Sequence, residues 1–259
     1  MAGSDIKRSI HHRAWVKITH WVVALSFLFL LFTGIEILMV HPRLYWGEVG
    51  NDLTPALIEL PISRNYKHGG WTESQSFSTV QSGPVSAGRT YEIFNENGWG
   101  RSLHFLSGWF LVAAGLVYLV FGFFTGHFRK HIVPGRKDRS LGLYLDDVRN
   151  HFRLQIQQAR NGSQYGLLQK TTYAGVVFIA LPLMVITGFT MAPAITNAFP
   201  FLLTIFGGYQ SARTIHFFST IALSLFFVVH VVMVVRTGFK KQMLSMTIRK
   251  YEKEDHNQA

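Results

Sequence analysis

A chain of 259 residues that is 48% hydrophobic and still carries a formal charge of +11 lacks the balance of a soluble domain; it has the balance of a small membrane protein with basic loops. Cysteine is absent, which excludes disulfides, thiolate-held zinc and iron–sulfur clusters. The basic residues sit in short segments between apolar runs and not along one face, so no nucleic-acid partner is expected.

In chain order, the N-terminal tail is polar and basic from Ile6 to Lys17. No small-residue cleavage site follows the first apolar run, so this run reads as a retained span and not a cleaved signal. Four runs are long enough to cross about 30 Å of hydrocarbon at about 1.5 Å per residue: roughly 15–40, 101–125, 171–192 and 213–236. The expected fold is therefore all-α, a single membrane domain built as a transmembrane four-helix bundle. Glu36 and Pro182 interrupt the first and third runs, which a packed bundle tolerates. Lys and Arg concentrate in the N-terminal tail, in the loop 126–170 and in the C-terminal tail. The loop 41–100 holds only Arg43, Arg64, Lys67 and Arg89, and the connection 193–210 holds none. By the positive-inside rule both termini and the loop 126–170 face the cytoplasm, and the long loop 41–100 is extracytoplasmic.

That long loop is rich in aromatic and turn residues, among them Pro42, Tyr45, Trp46, Pro55, Pro61 and Trp71. A loop of this length either folds on itself or is covered by a partner, and a docking surface is the reading adopted. Within 126–170, Leu141, Leu145, Val148, Phe152 and Ile156 recur at helical spacing, so the segment 141–160 either lies along the headgroups or packs on the end of the bundle.

The fourth run carries His216 and His230. Fourteen residues bring His230 to within roughly 40° of His216 and about 21 Å further along the axis, so one helix face presents two imidazoles at two depths. A titratable ring inside a bilayer is costly without a partner. His20 lies in the first run and His104 in the second. The direction of each span pairs them by depth: His104 with His216 near the outer surface, His20 with His230 near the inner one. Two haems, each with both axial positions filled by imidazole, would leave no vacancy for gas or substrate and would suit electron transfer.

Local features agree. Arg101 precedes His104, and Arg213 precedes His216, by one turn in the shared pattern Arg-x-x-His-Phe; Lys17 stands likewise before His20. Cations there could pair with haem propionates, or could simply anchor helix ends at the headgroups. Gly108, Gly115 and Gly122 fall within about 40° of His104, where missing side chains could admit a porphyrin or a close helix neighbour. Gly34, fourteen residues after His20, makes a flat spot at the depth of the outer pair. His127 and His131 are expected to face headgroups, and His11 and His12 to belong to a solvated tail.

The stretches HPRLYWGEVGNDLTPALIELPISRNYKHGGW (41–71), GWGRSLHF (98–105), GHFRKHIVP (126–134), PLMVITGFTMAP (182–193), GGYQSARTIHF (207–217) and FFVVHVVMVV (226–235) resemble the thiosulfate-reductase-type cytochrome b subunits. These belong to a wider group with the membrane subunits of formate dehydrogenases and nickel–iron hydrogenases. The resemblance covers nearly the whole chain. It implies two haem b groups ligated by His20, His104, His216 and His230, and electron transfer across a bacterial cytoplasmic (inner) membrane. The electrons would pass between quinone or quinol and an extracytoplasmic molybdopterin oxidoreductase subunit or an intermediate carrier, with substrate catalysis on that partner chain. It also implies a quinone site near the inner haem, for which Lys17, Arg13 and Tyr165 are the candidates here. A free-standing four-helix cytochrome of the bacterial b561 kind is the alternative. A metal-ion path is disfavoured because the spans lack mid-membrane carboxylates.

Overall fold

The computed structural model describes residues 13–51, 54–62, 97–134, 142, 149 and 167–247. Most of the expected amphipathic segment 141–160, most of the long loop, and Tyr165 lie outside the described residues. The architecture is helical, with four helices of membrane-spanning length and apolar character at Ala14–Val40, Trp99–Phe124, Leu167–Thr190 and Tyr209–Arg236. The elements are α1 (Ala14–Val40), β1 (Arg43–Leu44), β2 (Ile58–Glu59), α2 (Asn97–Phe124), α3 (Leu167–Gly175), α4 (Leu181–Thr190), α5 (Pro193–Ala198), α6 (Phe201–Phe206), α7 (Tyr209–Arg236) and α8 (Phe239–Ser245).

Two π-helical turns punctuate them, Phe128–Ile132 after α2 and Val176–Ala180 between α3 and α4. The second has a clear cause. Pro182 has no N–H to donate, and its ring crowds the carbonyl of Phe178 one turn earlier; a wide turn ahead of it relieves both problems without ending the span. The third span thus runs Leu167–Thr190, beginning four residues before the position expected from hydropathy. The connection 193–210 contains two short helices, α5 and α6.

Phe123, Phe124, Ile179 and Leu225 are each more than 60% exposed, an arrangement that water would penalise and lipid would not. Beside apolar residues such as Leu111 and Leu223 and the fully buried Glu36, the buried positions include many small polar residues: Thr19, Ser26, Thr33, Ser107, Thr187, Thr190, Ser211, Thr214 and Ser219. Small side chains allow backbones to approach closely, which substitutes for hydrophobic driving force in a bilayer. Several of their hydroxyls bond a carbonyl one turn back in the same helix. Thr19 donates to the Trp15 carbonyl (2.8 Å), Thr190 to Ile186 (2.9 Å) and Ser219 to Ile215 (2.8 Å).

The chain forms two compact units. One, the His20 unit, comprises Met1–Val22, Ala114–Gly175 and Ser224–Ala259; the other, the His104 unit, comprises Val23–Ala113 and Val176–Leu223. In the His104 unit the chain leaves α1 into a small antiparallel hairpin that pairs Arg43 with Glu59 and Leu44 with Ile58. This hairpin is fastened to the start of α7. Gly47 N–H donates to Ser211 Oγ (2.7 Å), its carbonyl accepts from Gln210 N–H (2.9 Å), and Tyr209 N–H reaches the Glu48 carboxylate (3.1 Å). Thr214 Oγ1 donates to the Tyr45 carbonyl (2.6 Å). The first-turn N–H groups of α7, which no helix carbonyl can serve, are thereby capped by the hairpin.

Candidate functional site

Each unit brings one pair of the expected histidines together. In the His104 unit the rings of His104 on α2 and His216 on α7 have centroids 6.4 Å apart, inclined at 57°. An iron between two imidazoles sets ring centres about 6 Å apart, given a metal–nitrogen distance of about 2 Å on each side. An aromatic pair also spans about 4.5–7 Å between centroids, so the distance alone does not decide. The tautomer does.

Thr33 Oγ1 lies 2.9 Å from His104 Nδ1 and 2.7 Å from the Phe29 carbonyl. A hydroxyl has one proton, and a carbonyl can only accept it, so toward the ring the oxygen is the acceptor and Nδ1 carries the hydrogen. Thr187 repeats the arrangement, 2.9 Å from His216 Nδ1 and 2.7 Å from the Leu183 carbonyl. A neutral imidazole held this way at Nδ1 keeps its lone pair on Nε2, the form in which histidine ligates a metal.

The next residue in each span is glycine. A Cβ at Gly34 would stand 3.7 Å from His104 Cε1, and one at Gly188 would stand 3.6 Å from His216 Cε1. A longer side chain would occupy the place of the ring. The dipeptide Thr33-Gly34 on the first span thus seats the histidine of the second, and Thr187-Gly188 on the third span seats that of the fourth. Sequence reasoning noticed Gly34 and missed Thr33, Thr187 and Gly188; the legible signal was the Thr-Gly pair repeated in spans one and three.

In the His20 unit the centroids of His20 on α1 and His230 on α7 are 6.3 Å apart, inclined at 50°. The surroundings here are aromatic. Trp21 stands edge-on to His20 at 5.5 Å, Phe226 stacks on His230 at 5.7 Å, and Tyr173 meets His230 at 6.5 Å. Gln169 Nε2 donates to the Tyr173 hydroxyl (2.8 Å) and fixes that ring.

The glycines of α2 divide. A Cβ on Gly108 or on Gly115 meets nothing within 4 Å, so each unit has one open-faced glycine on this helix, room of the kind a flat macrocycle requires. Gly122 does not belong with them: its place is filled by the ring of Phe128, which the π turn folds back after α2 ends.

The cations differ from expectation in what they touch. Lys17 is buried, and its Nζ donates to the Thr247 carbonyl (2.7 Å). Arg213 donates from Nη2 to the His41 carbonyl, while Arg101 is exposed. His41, just past the end of α1, has its imidazole pulled down to about 4 by burial and by the charges of Arg213, Arg101 and Arg43. His127 packs edge-on against Trp15 (5.3 Å) and Tyr118 (6.0 Å) and lies 4.9 Å from His131, so its ring belongs to an aromatic cluster just past the end of the second span. Arg13 is exposed at the start of α1.

The family model described as prokaryotic cytochrome b561 matches residues 11–248. A relative from Azospira oryzae, provisionally named protein-methionine-sulfoxide reductase subunit YedZ1, is 26% identical over 223 residues, which cover 86% of this chain and 89% of that one. No solved structure matches the chain. The family match spans all four membrane helices and every histidine of the two pairs. The chain belongs to the prokaryotic cytochrome b561 family and is a multi-pass, haem-binding electron-transport protein of the bacterial inner membrane.

Proposed function

We propose that the chain holds two haem b groups, one between His104 and His216 and one between His20 and His230, and serves as the electron-transfer subunit of an oxidoreductase. The observation that carries this reading is the pair of ring separations, 6.4 and 6.3 Å, together with the Nδ1–H tautomer that two threonines impose on the first pair. Haem b, once bound, supplies one-electron oxidation and reduction of its iron.

The residues of the chain do the rest. Paired imidazoles would hold each group and leave its iron no vacancy for oxygen or substrate. Thr33 and Thr187 orient the rings and raise their basicity as ligands. Charge asymmetry between the connecting segments supports cytoplasmic termini, which puts the His20 pair toward the cytoplasm and the His104 pair outside. Quinone or quinol then reacts near the inner pair. An extracytoplasmic catalytic chain exchanges electrons at the outer one, and a molybdopterin oxidoreductase is the partner class that the resemblance implies. The Azospira oryzae relative is named as one subunit of a reductase, which supports a partnered role over a free-standing cytochrome.

The test is the haem content of purified full-length protein. Two low-spin b-type haems per chain are expected, falling to one in His104→Ala and to a different one in His20→Ala. A chain purified without any b-type absorption overturns the reading, and so does either variant retaining both haems. Purification of the native complex from membranes distinguishes partnered from free-standing operation.

A further inference from the structure

At the end of the spans that carries the His20 pair, three elements of the His20 unit meet. Trp15, near the start of α1, packs edge-on against His127 (5.3 Å), and His127 lies 4.9 Å from His131 in the π turn after α2. That turn packs in its own right against α3. Each element brings a cation: Arg13 at the start of α1, Lys130 in the turn and Lys170 on α3. All three charges are felt at the His131 ring, so they share one neighbourhood.

Lys170 is the unusual member. It is only 8% exposed, and among the described residues no hydrogen bond or ion pair takes up its ammonium. It also stands in the first turn of α3, where the dipole of the helix opposes a cation. The described residues of the His20 unit include no aspartate and no glutamate. A buried ammonium is costly unless an anion joins it, and nothing described in this unit supplies one. Arg13 and Lys130 are exposed, so the cluster is open toward the headgroup layer. The apolar surface beside it narrows the anion. Immediately before the turn, Phe123 and Phe124 are 78% and 82% exposed, a surface suited to hydrocarbon chains. An inorganic anion gains nothing from those rings, whereas a phospholipid meets them with its chains and the cations with its phosphate. A zwitterionic headgroup brings an ammonium of its own into a cationic site; a net-negative headgroup does not.

We infer that Arg13, Lys130 and Lys170 form a binding site for the phosphodiester of an anionic phospholipid whose acyl chains lie against Phe123 and Phe124. Lys170 is the buried contact, and the two exposed cations close the site from the headgroup side. Such a lipid ties together the start of α1, the turn after α2 and the start of α3. The site requires neither haem, so its failure leaves the proposed function standing.

Full-length protein in a zwitterionic detergent is titrated with dioleoylphosphatidylglycerol, with dioleoylphosphatidylcholine, which has the same chains, and with inorganic phosphate. Bound lipid is counted by native mass spectrometry. Phosphatidylglycerol should be retained at concentrations where phosphatidylcholine is not, and phosphate should not displace it. Lys170→Gln should weaken that binding about tenfold with haem content unchanged, and Lys170→Arg should restore most of it. Lys130→Gln should weaken it about fivefold. Arg236→Gln, which removes an exposed cation at the end of α7, should have little effect. Seating the lipid should also raise the titration of His131 above its value in lipid-free micelles, because the phosphate opposes the cations around the ring. Equal retention of the two lipids overturns the inference. So does equal weakening by Arg236→Gln and Lys170→Gln, which would make the attraction a diffuse one. Displacement by phosphate would make a small anion the ligand, and faster haem release from Lys170→Gln with lipid binding intact would give the cations to the haem; either result overturns it. Should Lys170→Gln fail to fold, Lys130→Gln, a change at an exposed residue, supplies the same comparison.

Discussion

The two histidine pairs share a ring separation and differ in what holds the rings. His104 and His216 each donate Nδ1–H to a threonine on a neighbouring span and rest against a glycine, and the hairpin caps the helix that carries His216. His20 and His230 are set among Trp21, Phe226 and Tyr173. The separations are alike while the supports differ, one pair held by hydrogen bonds to neighbouring spans and the other set among aromatic rings. A hydrogen-bonded ligand has a fixed tautomer and greater basicity; a ring packed on aromatic faces is located by shape and admits a neighbouring flat molecule more readily.

The largest expected consequence of that difference lies in the threonines. Thr33→Val or Thr187→Val keeps the shape of the side chain and removes the acceptor, so a buried Nδ1–H loses its partner. Retention of the haem between His104 and His216 should fall by about ten- to a hundredfold, with the other site unchanged. Thr33→Ser should retain most of it. Measuring haem release from single-site variants checks this, and equal weakening of both sites would show that threonine acts on the bundle as a whole and not on the ring.

The hairpin offers the next effect in size. Gly208 has φ of +113°, a backbone conformation that L side chains rarely adopt, and a Cβ there would run into the backbone of Gly47 and Glu48. Gly208→Ala should loosen the junction between hairpin and α7 by more than about 1 kcal/mol. Hydrogen exchange at Gln210 and Ser211, whose N–H groups both bond to the Gly47 carbonyl, should accelerate about fivefold or more while exchange in the His20 unit stays level. Unchanged exchange at these two positions would mean that the hairpin is not what caps α7.

Much of this organisation was legible in the residues and some was not, for physical reasons. Four spans follow from apolar length alone, and His216 and His230 share a face because fourteen residues close on nearly four turns. The threonine contacts could not be read this way. A threonine inside a helix usually bonds its own backbone, as Thr19 does, so nothing local marks Thr33 for a ring 71 positions away. Gly122 misled because its neighbour comes from the π turn beyond the helix end, where periodicity no longer applies. Arg213 was correctly placed one turn before His216, and its bond to the His41 carbonyl depends on a hairpin that pattern reading treats as loop.

The smallest effect belongs to the far end of the His20 unit. Burial, and then the charges of Lys130, Lys170 and Arg13, hold the His131 imidazole below its ordinary value. The fold therefore favours the neutral ring, while the unfolded chain takes up a proton as pH falls through about 6.5. Stability from this group is present above that value and is lost on acidification toward the lower folded-state value. Lys170 is buried and on the helix facing the π turn, so Lys170→Gln removes one of the opposing charges. The titration of His131, followed by the chemical shifts of its ring, should move upward, and the acid sensitivity of this end should shrink with it; His41, whose neighbours are arginines of the other unit, should not respond. A downward shift, or an equal shift at His41, would mean that the cations act through the fold at large and not through the field at this ring.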